Sequence, residues 1–117
     1  VRDVLRRLGD AIGVKGCLVV THDGIVVASQ LSKSLSEDLV AAMASSVIQR
    51  TRRALDRQGL GRFTRVTLVA SHGKMVFMDT GPAFLVVVLD RNVELGPVGI
   101  EIESAAMRIR QQGEIRA

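Results

Sequence analysis

Apolar residues recur at three- and four-residue intervals near the start of the chain, at Val4, Leu5, Leu8, Ala11 and Ile12. That spacing predicts a first helix over about 2–12, ended by Gly13 and Gly16. The period then changes to that of a strand. Residues 16–21 read as an apolar strand, His22-Asp23-Gly24 as a turn and 25–29 as a second strand, because Asp-Gly between two β-branched runs is a hairpin signal. Ser34 with Glu37 three residues on forms a capping box and opens a long helix to about Gln58, closed by Gly59 and Gly61. Its apolar stripe is Leu39, Val40, Met43, Ala44, Val47, Ile48, Thr51 and Leu55. Residues 65–71 form a third strand, His72-Gly73 a turn, 74–79 a fourth strand, and Gly81-Pro82 leads into a fifth over 83–89. After a loop over 90–96, Pro97 suits the first position of a last helix over about 97–112, with the stripe Val98, Ile102, Ala105, Ala106 and Ile109.

Two of the strands decide the architecture. Cys17 to Val20 and Phe84 to Leu89 are apolar at every position, so each must lie inside a sheet that is covered above and below. Three amphipathic helices supply the cover. The expected fold is α/β in the α+β sense, one domain over 1–117: a three-layer sandwich around a five-stranded antiparallel sheet. Its order is helix, hairpin, helix, meander, helix, with the long helix on one face and the first and last helices on the other.

The long helix and the third strand then raise a difficulty. About 24 helical residues span about 36 Å, whereas five strands make a sheet about 24 Å wide. The third strand lies at the edge of the meander, and its interior, Val66-Thr67-Leu68-Val69-Ala70, holds no Lys or Pro to discourage pairing. A symmetric dimer in which this strand meets its twin and the long helices share a face removes both problems. The expected interface residues are Val66, Leu68, Ala70, Val47 and Thr51.

Composition narrows the function. Hydrophobic residues make up 47% of the 117 positions, which excludes a disordered chain, and the only aromatics are three Phe. No run approaches the ~20 apolar residues of a membrane span. The single cysteine, Cys17, forms no internal disulfide. With no charged-then-apolar leader in view, it points to a reducing, cytoplasmic compartment. The net charge is +4, and 13 of the 16 basic residues are Arg, six of them (Arg50, Arg52, Arg53, Arg57, Arg62, Arg65) within sixteen positions.

Chemistry is sparse. His22 and His72 sit in hairpin turns without a third ligand at metal spacing. Ser29, Ser45, Ser46 and Ser71 lack the glycine elbow of a hydrolase, and Cys17 falls in a strand expected to be buried, where a thiol is inert. Gly59-Leu60-Gly61 is too short for a dinucleotide fingerprint. No catalytic residue, metal ligand or cofactor is expected, and no enzyme. The arginines close the long helix that Glu37 and Asp38 open, which the helix dipole favours by itself. They also offer a positive patch to an acidic surface. On the side opposite the apolar stripe, Ser45, Gln49, Arg52, Arg53 and Asp56 form an outward strip, the expected partner-binding surface. It holds no aromatic for stacking on bases, which argues against nucleic acid as the ligand.

The hairpin Gly16–Ala28, the Ala/Ser-rich helix Leu39–Ser46, and the closing block Phe84–Leu89 followed by Asn92, Leu95-Gly96 and a helix resemble Roadblock-type dynein light chains and MglB-like gliding-motility regulators. The resemblance runs from about Val4 to Gln111. It implies the same sheet and the same edge-to-edge dimer. Bacterial members of this kind bind a small Ras-like GTPase, and some raise its hydrolysis rate; eukaryotic relatives serve as dynein light chains or scaffolds. The resemblance therefore implies a dimeric, non-enzymatic regulator or scaffold for a small Ras-like GTPase. Two alternatives remain: a basic module that binds nucleic acid or an anionic membrane through Arg50–Arg65, and a small-molecule sensor in a profilin-like sandwich.

Overall fold

The computed structural model describes residues 1–116, with side chains to 112. Its elements are α1 (Arg2–Gly9), β1 (Val14–Thr21), β2 (Val26–Leu31), α2 (Glu37–Arg57), β3 (Arg65–Ala70), β4 (Gly73–Asp79), β5 (Ala83–Asp90) and α3 (Leu95–Arg116). The five strands form one antiparallel sheet in the order β2-β1-β5-β4-β3. The two doubly apolar strands, β1 and β5, are neighbours at its inner positions, as strands greasy on both faces must be.

Period-two alternation divides the inner strands between two cores. Cys17, Val19, Leu85, Val87 and Leu89 face one way and meet α1 and α3 through Leu5, Leu8, Val98, Ile102 and Ile109. Leu18, Val20, Phe77, Phe84 and Val86 face the other way and meet α2 through Val40, Ala41, Ala44 and Ile48. The expected three layers are all present, with α2 alone on one side.

Several boundaries differ from the sequence reading, each for a local reason. Helix α1 stops at Gly9, and Ile12 stands 96% exposed, not in the core. The chain must turn there, because Gly13 has φ +87° and lies so close to Val93 that a Cβ would come within 1.7 Å of Val93 Cγ2. Strand β1 begins at Val14, and β2 runs to Leu31. Helix α2 is capped by Ser36, whose Oγ accepts from Leu39 N at 3.4 Å, and not by Ser34, which pairs with Ser32 at 2.9 Å. Glu37, one residue past the cap, cannot reach back to close a box. It accepts instead from Ser29 Oγ at 2.7 Å and fastens the start of α2 to β2. Helix α3 starts at Leu95, two residues before Pro97, which the first turn tolerates because its missing N–H has no helical acceptor there.

The buried arc of α2 is also narrower than its apolar stripe. Leu39 is 73% exposed and Met43 is exposed, while Val47 and Leu55 are half-buried at the margin of the core. A helix lying on a sheet buries only the residues beneath it, so part of a broad stripe is left over.

Candidate protein-interaction site

The open margin at β3 is built by register. Val66 lies opposite Phe77, Leu68 opposite Met75 and Ala70 opposite Gly73. These three residues therefore share the α2 side of the sheet. Val66 and Val47 both pack at the rim of the α2-side core, and Thr51 is half-buried one turn along from Val47. The structure thus places the five residues expected at a dimer interface on the α2 side of the sheet. Beyond Val66 the strand is bare: Leu68 is 39% and Val69 69% exposed. Among the described residues, no backbone bond runs outward from β3, which leaves every second N–H and C=O pointing at solvent.

The arginine cluster lies beside this margin. Phe63 is buried and stacks on Phe84, with ring centroids 5.4 Å apart. It pins the linker after α2 and makes its polar neighbours project. Arg62 donates to Asp79 Oδ2 at 2.9 Å, and Arg65 donates to Glu103 Oε1 at 3.4 Å. Arg50, Arg52, Arg53 and Arg57 leave α2 without an ion pair among the described residues. Gln49, Arg52, Arg53 and Asp56 surround an open hollow of about 450 Å³ with Gly61 and Arg62. Four of the five expected partner-binding residues are therefore neighbours.

Ser45 is elsewhere. It packs under the β1–β2 turn, where Gly24 has φ +90° and an added Cβ would lie 2.9 Å from Ser45 Oγ. The sequence reading missed three features of this region. Arg62 is held by Asp79. Leu60 is exposed between two glycines, and Leu39 and Met43 face solvent. Only Leu60 carried a signal, as an apolar residue inside a glycine turn.

Cys17 is fully buried and its Sγ donates to Leu5 O at 3.3 Å. Burial disfavours its thiolate and pushes its pKa up to about 11. His22 packs on Phe84 at 4.7 Å between ring centroids, with Nε2 unpartnered among the described residues. Ser71 Oγ and His72 Nδ1 lie 2.9 Å apart in an exposed turn. No three His, Cys, Asp or Glu side chains gather at metal-binding distance among the described residues. Among the described residues, no helix is long and apolar enough to cross a membrane.

Comparison with known proteins gives one consistent result. The family model described as Roadblock/LC7 domain matches residues 1–90. The uncharacterized protein MJ1340 of Methanocaldococcus jannaschii is 38% identical over 107 residues, covering 92% of this chain and 94% of its own. Among solved structures, Myxococcus xanthus MglB superposes with a TM-score of 0.92 at 18% identity, over 99% of this chain and 89% of that one. The Roadblock/LC7 domain from Streptomyces avermitilis gives 0.83 at 19% identity, over 96% of each chain.

Proposed function

Since the chain belongs to the Roadblock/LC7 family, we propose that it is a non-enzymatic cytoplasmic regulator or scaffold that pairs with itself and binds a small Ras-like GTPase. The observation that carries this reading is the uncovered β3 margin, where Leu68 and Val69 stand in solvent beside unpaired backbone groups. Joining two such margins antiparallel gives one ten-stranded sheet and satisfies both rows of backbone groups. Val47 and Thr51 of each α2, with the exposed Met43, lie on the same layer and close the pair above the sheet. The 21 residues of α2 span about 31 Å, longer than a five-stranded sheet is wide, and the doubled sheet accommodates them.

The GTPase docks on the outward strip of α2, through Gln49, Arg52, Arg53 and Asp56. Regulation needs only differential affinity: a tenfold preference for the GTP-bound over the GDP-bound switch regions supplies about 1.4 kcal/mol toward the active form. Two measurements test the reading. Light scattering on the eluted protein gives twice the 12.6 kDa chain mass if it pairs, and a single chain mass at high concentration defeats it. Capture of purified Ras-like GTPases loaded with GDP or a non-hydrolysable GTP analogue tests the partner, and no capture in either state defeats that half.

A second reading rests on the unpaired arginines: binding to nucleic acid or an anionic membrane. It predicts affinity that collapses between about 50 and 200 mM salt. Salt-sensitive binding to duplex DNA or phosphatidylserine vesicles, without GTPase capture, favours it.

A further inference from the structure

The sheet has a second margin, at β2, and it differs in kind from the one at β3. Five consecutive β2 residues, 26–30, line a hollow of about 420 Å³ with Arg2 and Arg6 of α1 and Glu37 of α2. At about 3.3 Å per residue these five residues extend about 16 Å. Helix α1 covers one face of the strand, so closely that a Cβ on Gly9 would lie 3.1 Å from Gln30 Cγ. On the other face Glu37 accepts from Ser29. The bare row of backbone groups is thus the floor of a slot, walled by two guanidiniums on one side and a carboxylate on the other. Among the described residues, no backbone or side-chain group bonds to the outward N–H and C=O groups of β2.

We propose that this slot takes an extended acidic segment of a partner protein, added as a sixth strand beside β2 with its alternate carboxylates against Arg2 and Arg6. Only another strand matches a row of alternating backbone donors and acceptors. The spacing of the charges fits as well. Arg2 and Arg6 are separated by about 6 Å along α1, and same-face residues i and i+2 of a strand by about 6.6 Å. The irregularity in the ladder between Val19 and Val20 leaves Val27 outside the register, 53% exposed, as an apolar contact near one end of the slot.

Charge also decides against a second copy as the occupant. Antiparallel pairing of two β2 strands keeps each layer on its own side of the sheet. Arg2 and Arg6 would then face the same two arginines of the twin, and Glu37 its own counterpart. Like charges directly opposite one another are unfavourable. The β3 margin, with Val66, Leu68, Val69 and Ala70, carries no such conflict.

The test uses the full chain and two capped eight-residue peptides with Val and Thr between alternate Glu or alternate Lys. Binding is followed by calorimetry at low salt and by amide hydrogen exchange. The Glu peptide is expected to slow exchange at alternate amides of 26–31 and to leave β3 amides unchanged. R2E/R6E weakens that binding at least about tenfold, two exposed ion pairs' worth, and gains affinity for the Lys peptide. Its far-ultraviolet spectrum and melting temperature establish that it folds, and Arg6→Ala serves as the milder variant. The proposal is overturned by protection confined to β3, by β2 amides already protected in the free protein, by equal binding of both peptides, or by R2E/R6E binding like the parent. The chain's mass in solution and its GTPase capture are read separately, so either outcome there leaves this result intact.

Discussion

Arg62 and Asp79 are joined at 2.9 Å across the gap between the linker after α2 and the end of β4. The second oxygen of the same carboxylate accepts from Gly81 N at 2.7 Å, which sets the β4–β5 turn. Asp79→Ala removes both bonds, and the expected loss is about 1–3 kcal/mol in urea denaturation. Arg62→Ala leaves the turn bond in place and costs less, about 0.5–1 kcal/mol, because the guanidinium is largely exposed.

At the β3 margin, Leu68→Lys places a charge where the proposed twin strands meet. The dissociation constant of the pair rises about 100-fold or more, about 2.8 kcal/mol. Sedimentation equilibrium then finds single chains at concentrations where the parent is paired. Because Leu68 already faces solvent, the single chain keeps its circular dichroism.

On α2, R52E/R53E reverses the charge of the hollow without touching either core. Capture of the GTPase is expected to fall at least tenfold while the mass in solution stays that of the parent. Undiminished capture removes this strip from the docking surface. The proposed docking would then involve another face of the chain.

Cys17 offers a pH prediction. With its pKa raised to about 11 by burial, less than about one thiol in a hundred is ionised at pH 8, so disulfide-exchange reagents label the folded protein only as fast as it opens. The sign for stability follows. The folded state favours the protonated thiol, so this contribution is intact below the ordinary thiol range near 9 and is lost as pH rises toward 11. Cys17→Ser, which keeps the size but not the apolar character, destabilises by about 1–3 kcal/mol in thermal or urea melts.

Gly13→Ala tests the closest approach that an added Cβ would make at any described glycine. The left-handed backbone and the contact with Val93 act together, and the variant is expected to lose about 2–4 kcal/mol. Val93→Ala introduced alongside it relieves the contact and recovers part of that loss.

Much of this was legible in advance because it rests on period and polarity. The unbroken apolar runs at Cys17–Val20 and Phe84–Leu89 could only be inner strands, and the uncharged interior of Val66–Ala70 marked an unprotected edge. Helix ends were harder, since Ser34 and Ser36 are chemically the same cap and only the path of the 32–36 loop selects between them. The stripe of α2 was overdrawn at Leu39 and Met43 because spacing gives a face but not the width of what it lies on. Ser45 looked outward by angle, yet the Gly24 turn folds over it. The slot at β2 had no local signal at all. Strand order brings Arg2, Arg6, Glu37 and residues 26–30 together, and no window of sequence contains them.

The unlike margins of the sheet have one more consequence. A ribbon able to self-adhere at both sides is a template for fibres. If two molecules close on each other as proposed, that pairing consumes the side with the uncharged interior, and the ionic side would repel further identical molecules, so growth would halt at a pair.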